Sequence, residues 1–507
     1  MSTIELGTHG ATARFRRSPV GRMVITGVIG SVLVAVGSFG VGDIPRNNAW
    51  LQNVGLSWVY YGHGKSLLNV VFWAGVVLLV LAWIRLGRLF FGDRGAGDRP
   101  AVPTRVLQWS ALSWAAPLMV AVPVYSRDVY AYLAQGALLH HGFDPYADGP
   151  VHRPGPLLDS MAQVWATTTA PYGPLFMTLT RAVTALTGDH AIAGVLAMRI
   201  VMLPGLLLTL WAIPHLARHF GSSVPASLWL VAFNPMLLIH LVGGPHVELL
   251  MMGVLAAGLV LVLRGSHVSG VVVLALATAI KITAGVALPF VLWIWLAHLR
   301  ERRAVRPVDV ARVFAAIVGC SVVVFGVFTL MVGHGLGWLT GLGWADRIIN
   351  WLTIPTLVAH VITVAAAPFT ALHLLPVLSV TRTVGSVVLA VVLLVCWWRF
   401  RASERSAMLG MTLALLAVLL LEPSTLPWYY TWALVPASAF VLSRRVAAVI
   451  AGCCVLQLIV FQPDDSILLY EPVPVVICLA VAAVAGWSLI GRPRRPTTRL
   501  HTAGDVR

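Results

Sequence analysis

Long apolar runs, each close to the thickness of a bilayer and separated by short arginine clusters, constrain this chain more than any other feature. A helix needs about 20 apolar residues to cross the hydrocarbon core. Stretches 23–41, 67–91, 106–125, 191–214, 224–241, 247–264, 309–332, 380–398, 406–421, 427–442, 446–462 and 473–490 meet or approach that length. Backbone polar groups in hydrocarbon must be satisfied within the chain, so these runs predict helices and the fold class is an all-α polytopic membrane protein. Composition agrees: 58% of residues are apolar and 11% charged, against about 25% charged in soluble domains. The first run, 23–41, is long enough to stay as an anchor rather than serve as a cleaved signal.

A net charge of +16 would suit nucleic acid, but the basic residues sit in short clusters between apolar runs. That is the pattern of cytoplasmic membrane loops, and it argues against a nucleic-acid partner. The clusters are Arg14–Arg22, Arg85–Arg105, Arg300–Arg306, Arg399–Arg405, Arg444–Arg445 and Arg492–Arg499. Placed inside by the positive-inside rule, they put both termini in the cytoplasm. Residues 491–507 then read as a basic cytoplasmic tail. Of the 19 acids, 12 fall outside in this topology, so the chemistry is expected on the outer face. All five cysteines lie inside apolar runs without ligand spacing, and neither a disulfide framework nor a metal site is expected.

Three stretches resist span counting. Residues 268–298 would make a helix of about 46 Å, against a core of about 30 Å. Arg264 and Arg300 both read as cytoplasmic, so two short helices meeting near Lys281 are expected; such breaks line cavities rather than lipid. Segments 173–187 and 355–376 read as re-entrant or interfacial. The count is about 14 crossings (12–15) in one domain, 1–507.

The longest polar insertion, 126–172, holds the strongest signal. Ser126 is an N-cap and Gly142 a stop, which predicts a helix of about 15 residues at the membrane interface. At 100° per residue, Asp128, Tyr132 and Gln135 share one face, grouping a carboxylate, a phenol and an amide. Taken alone, Asp128 is equally an acid favoured by the helix dipole, and the turns around Asp144 ordinary loop chemistry.

The run SRDVYAYLAQG (126–136), followed by HHGFDPYADGPV (140–151) and APYGPLF (170–176), resembles the first external loop of the polyprenyl-phosphomannose-dependent α-1,6-mannosyltransferases of actinobacterial envelopes. The likeness extends through SWVYYGHG (57–64), NPMLLIHLVGGPHVELLMMG (234–253), AIKITAGVALPF (279–290), HLRERR (298–303), IINWLTIPT (348–356) and LPWYYTW (426–432). Within the family it is more similar to the mannan-elongating enzyme than to the initiating one. The resemblance implies a GT-C glycosyltransferase fold in the plasma membrane, with the active site outside. It further implies polyprenyl-phosphate-mannose as donor, a mannan or lipomannan chain as acceptor, contact with membrane lipids, and no required cofactor or metal.

An early acid of the first external loop is the catalytic base in that class, and Asp128 holds its place. For the donor phosphate the outer cations are candidates: Lys281, Arg199, Arg127 and, more weakly, Arg181. Lys281 is favoured, because a lysine amid apolar sequence is costly and needs a partner; pairing with a carboxylate is the bland alternative. Arg127 lies about 100° from Asp128 around the helix, where a lipid headgroup or a capping acid is its other reading. Tyr132, Gln135, Asp144, Tyr172, His246, Glu248, Asn350, Trp351, Trp428 and Tyr429 are the candidates for sugar contact. The aromatic residues among them are equally accounted for by an interfacial belt, and His246 and Glu248 by the packing of a Gly/Pro turn. His63 and Glu422 follow as weaker guesses. A transferase for another lipid-linked sugar, such as arabinose, and a lipid-linked sugar transporter or flippase are the competing readings.

Overall fold

The computed structural model describes residues 15–46, 50–91, 102–339 and 347–490. The expected basic tail, 491–507, lies outside the described residues, as do Arg14, Arg94 and Arg99. Among the described residues the secondary structure is helical apart from one isolated bridge, Phe461–Ile467.

Helices of seven or more residues are α1 (Pro19–Val41), α2 (Gly62–Phe90), α3 (Thr104–Ala115), α4 (Asp128–His140), α5 (Pro174–Thr187), α6 (Ala191–His219), α7 (Val224–Val231), α8 (Glu248–Leu263) and α9 (His267–Ile280). The chain continues through α10 (Leu288–Arg300), α11 (Pro307–Val332), α12 (Ile354–Ala366), α13 (Leu374–Arg399), α14 (Glu404–Leu421), α15 (Thr431–Ala437), α16 (Arg444–Val460) and α17 (Pro472–Ile490).

Among the described residues eight segments are long and apolar enough to cross a membrane: α1, α2, α6, Ile282–Arg300, α11, α13, α14 and α17. A ninth results if Val224–Val231 and Pro235–Gly243, bent by 48°, count as one span. The expectation of about 14 is larger because several apolar runs fold as short or broken helices. Residues 106–125 give the 12-residue α3 and a 3₁₀ turn. Residues 247–264 give the 16-residue α8, and 427–442 a 3₁₀ turn followed by the 7-residue α15. The stretches 173–187 and 355–376 hold the short helices α5 and α12.

Small residues set the closest approaches. Gly205 of α6 faces Gly253 of α8 backbone to backbone, so a Cβ on either would collide with the partner's main chain. Apolar tails do not drive helices together in lipid, and such contacts supply the packing that does.

Helix ends sort into two groups. Arg88, Arg218, Arg264, Arg300 and Arg399 close or follow α2, α6, α8, α10 and α13, while Arg105, Arg405 and Arg444 open α3, α14 and α16. Bonds tie this end together: Arg88 to the Ser488 carbonyl (2.6 Å), Arg218 to Thr104 (2.7 Å), Arg405 to the Phe220 carbonyl (2.9 Å), and His219 and His298 to the two oxygens of Glu404 (2.8 and 2.9 Å). The opposite ends of α8, α9 and α14 meet the start of α4 around a cleft.

Candidate active site

The start of α4 is fixed from three sides. Ser126 Oγ accepts the Asp128 N–H at 3.1 Å, satisfying one of the unpaired donors of a helix N-terminus. Tyr125 turns the chain in the left-handed region (φ 69°), gives its N–H to the Pro463 carbonyl at 3.1 Å and its hydroxyl to the Leu458 carbonyl at 3.1 Å. Arg127 pairs with Asp43 at 3.0 Å and donates to the Ser160 carbonyl at 2.9 Å. Tyr130 hydroxyl donates to the Asp43 carbonyl at 2.6 Å. Every residue from Val129 to Leu139 is buried. Helix α4 is enclosed by protein, packed mainly against α5 and also against α6.

Asp128, Ala131 and Gln135 present one face of α4 to a cleft of about 890 Å³. Trp165, Thr168 and Tyr172 of the following loop form its second wall. Lys281, Ile282, Thr283, Glu422, Tyr429 and Trp432 form the third. Lys281 reaches the cleft because the chain breaks there. It is extended (φ −147°, ψ 127°) between α9 and a 3₁₀ turn, and the Ile280 carbonyl accepts the Gly173 N–H at 3.0 Å. Its ammonium donates to Glu248 Oε1 and lies over the rings of Tyr429 (4.4 Å) and Trp432 (5.3 Å). A buried carboxylate and two π faces offset the desolvation of that cation.

His246 lies behind this surface. Its ring stacks on Trp428 at 3.5 Å and 15°, and its Nδ1 is 3.6 Å from Asp128 Oδ2 and 3.4 Å from the Tyr132 hydroxyl. The Tyr132 ring is packed edge-on by Tyr172 and Phe176, each at 5.2 Å. Among the described residues, four atoms around the cleft are buried without a hydrogen-bond partner: Gln135 Oε1, His246 Nε2, Glu248 Oε2 and Trp432 Nε1. Such groups cost about 1–3 kcal/mol each unless something else satisfies them.

Burial, reinforced by the charges of Asp465 and Glu248, pushes the Asp128 carboxyl up to about 7 against its bond from Ser126 and the attraction of Lys281. Burial likewise raises Glu422 to about 7, with Lys281 opposing, and Asp465 to about 6, with Arg127 opposing. Asp128 thus presents a carboxyl with a raised pKa to the cleft, a property common among groups that exchange protons.

The sequence-selected residues are thus divided. Asp128, Gln135, Tyr172, Lys281 and Tyr429 line the cleft; Tyr132, His246, Glu248 and Trp428 form the layer behind it. Arg199 is elsewhere, giving its guanidinium to the carbonyls of Val242 (3.3 Å) and Gly243 (2.7 Å) and so holding the π turn before His246. Arg127 is engaged by Asp43, the capping-acid arrangement. Asp144 accepts the Tyr146 N–H at 2.9 Å within its own turn and faces His334 at 3.8 Å, away from the cleft lining. Asn350 braces the Thr425 carbonyl (2.7 Å), and Trp351 the Leu469 carbonyl (2.8 Å). Trp165, Thr168, Thr283 and Trp432 were not selected. Trp432 stood in the quoted motif, but nothing in a sequence separates a cleft tryptophan from a belt one. Asp465 reaches Asp128 only through the fold. Among the described residues no group of three or more His, Cys, Asp or Glu could hold a metal ion.

Comparison with known proteins gives this geometry a family. Residues 24–297 match the family model described as alpha-(1->6)-mannopyranosyltransferase, N-terminal domain, and 355–491 match the MptB C-terminal domain. Alpha-(1->6)-mannopyranosyltransferase A of Mycobacterium tuberculosis (strain ATCC 25618 / H37Rv) is 42% identical over 482 residues, covering 95% of this chain and 92% of that protein. The Corynebacterium glutamicum protein of the same name is 35% identical, covering 89% and 95%. Alpha-(1->6)-mannopyranosyltransferase B of Corynebacterium glutamicum is 31% identical, covering 94% and 83%. With a model match over more than half its length and such relatives along nearly all of it, the chain belongs to the alpha-(1->6)-mannopyranosyltransferase family of membrane enzymes.

Proposed function

We propose that the protein transfers mannose from polyprenyl-phosphate-mannose to the 6-hydroxyl of an α-1,6-mannan chain of lipomannan or lipoarabinomannan, at the outer face of the plasma membrane. In this reading the fold is of the GT-C class with about 14 crossings, the broken helices included, and both termini are cytoplasmic. Asp128 takes the proton of the acceptor hydroxyl as its oxygen attacks the anomeric carbon. The bond from that carbon to the phosphate oxygen breaks, and polyprenyl phosphate leaves with the electron pair. One displacement turns a β-phosphate into an α-linkage. Lys281 faces the departing phosphate and stabilises its charge; no metal or other cofactor takes part.

The observation that supports the reading is the opposition of Asp128 and Lys281 in one cleft, at the end of the helices away from the arginine clusters. Glu248 holds the ammonium in place. Gln135 and Tyr172 then face sugar hydroxyls, and the Tyr429 and Trp432 rings a pyranose face. An apolar tail can reach the cleft laterally past Ile282 and Ile348, which line its edge.

The test is an assay of purified wild-type protein and Asp128→Asn with polyprenyl-phosphate-mannose and a short α-1,6-mannoside, following product length and linkage. Expected is an acceptor extended by α-1,6-mannose, with turnover lowered about 10²–10⁴-fold in the variant. Near-normal turnover in the variant removes Asp128 as base. Absence of product from folded wild type, with product from a lipid-linked arabinose donor, moves the assignment to that sugar. Translocation of the lipid-linked sugar without a new glycosidic bond moves it to transport.

A further inference from the structure

We infer that the protein holds an anionic phospholipid at the arginine-rich end of α6 and α8, a site apart from the cleft. Helix α8 begins at Glu248 and runs 16 residues to Leu263, so its two ends are about 24 Å apart. At the far end lies a cavity of about 540 Å³ with Arg218 and His219 on one side, Arg264 on another and His215 deeper along α6. Among the described residues no carboxylate lines it. Its floor is apolar and buried, made by Leu216, Val260 and Leu263.

The bonds already made leave the cavity cationic. Arg218 donates one Nη to Thr104 Oγ1 at 2.7 Å, a neutral partner. The Arg264 guanidinium lies 5.5 Å from the centre of the Trp211 ring, also uncharged. His215 Nδ1 is 2.7 Å from the Trp211 carbonyl. Among the described residues only His219 of this group contacts an acid, Glu404, which is shared with His298 and is not part of the lining.

Two guanidinium groups over an apolar floor match a phosphodiester with a hydrocarbon tail better than a soluble anion. Guanidinium forks fit phosphate oxygens geometrically. The cavity sits at the end of a helix long and apolar enough to cross a membrane, which leaves Leu207 exposed four residues before the half-buried Trp211. Basic pockets between helices on the arginine-rich side of a membrane protein attract anionic lipid headgroups. Arginines that serve only to orient a span need neither a shared cavity nor an apolar floor, and that difference decides the test.

Native mass spectrometry of the full-length protein in detergent, titrated with phosphatidylglycerol and with phosphatidylcholine of the same chains, tests the site. Two arginines at the headgroup should favour the anionic lipid by on the order of tenfold or more. The preference should disappear in Arg218→Gln/Arg264→Gln and persist in Arg445→Gln, an exposed arginine at the same end outside the cavity. The thermal transition in lipid-free detergent should remain cooperative in both variants and drop by no more than a few degrees where the Arg218–Thr104 bond is lost, showing that they are folded. Equal binding of the two lipids by wild type, or a preference retained in the double variant, overturns the inference. Displacement of phosphatidylglycerol by millimolar inorganic phosphate also overturns it, since the site would then read phosphate without a tail.

Discussion

At the scale of single residues, Asp128 combines an ordinary first-turn position with an unusual surrounding. A helix start favours the ionised carboxylate, yet burial and the charges of Asp465 and Glu248 win and raise its pKa to about 7. A base works only when ionised, so activity should fall about tenfold per pH unit below 7 and level off above it. Asp465→Asn removes one of the raising charges and should move that acid limb to lower pH, read from kcat/KM against pH. The same shift fixes the sign for stability. The folded state binds the Asp128 proton more tightly than the unfolded chain does, so the fold loses stability as pH rises from about 4 to about 7. Asp128→Asn should therefore raise the Tm at neutral pH while lowering activity. Sequence reading finds Asp128, Tyr172, Lys281 and Tyr429 because each is a polar or aromatic residue next to a helix start or break, and Gln135 because it shares a helix face with Asp128. It separates Arg199 and Arg127 from them poorly. A cation in apolar sequence needs a partner, and whether that partner is a ligand, a carbonyl such as Gly243 or an acid such as Asp43 depends on residues far away in the chain.

At the scale of elements, the site depends on where helices break and how closely they pack. The break at Lys281 was legible, since the apolar run is too long for one span and too short for two. The enclosure of α4 was not, because its burial depends on α5 and α6, which the α4 sequence does not specify. The α4–α5 contact rests on Gly136, where an added Cβ would come within 2.5 Å of the Thr180 carbonyl oxygen. Gly136→Ala gains helix propensity of about 1 kcal/mol, but backbone at that distance has to move. The expected result is a net loss of stability of about 1–3 kcal/mol and lowered turnover, because Asp128 and Gln135 ride on the same helix. Thermal unfolding and the transferase assay on one preparation check both; unchanged values would show that α4 and α5 separate freely.

At the scale of the molecule, the two ends of the bundle carry different chemistry. One is bound together by arginines and the His219–Glu404–His298 bridge, the other holds the cleft. The proposed topology is testable through that separation. In a cysteine-free background, Gln163→Cys, exposed in the loop at the cleft, should react with an impermeant maleimide applied to intact cells. Arg302→Cys, exposed at the arginine-rich end, should react only after the membrane is opened. The reverse pattern would place the cleft in the cytoplasm and end the lipid-linked-donor reading at the outer face.

What the sequence determined by itself is what depends on local content. Apolar length dictates helices, arginine clusters sort their ends, and the motif runs carry the family, because each is written in contiguous residues. The number of crossings is less securely written, since α3, α8 and α15 are apolar yet short, and length separates spans only when helices are whole. The tertiary structure alone decided which polar groups share a cleft. Asp128, Lys281 and Glu422 are brought together from positions spread over nearly 300 residues, and Asp465 acts on Asp128 from further still. Electrostatic effects follow distance and burial, and neither is a property of a residue's neighbours in the chain.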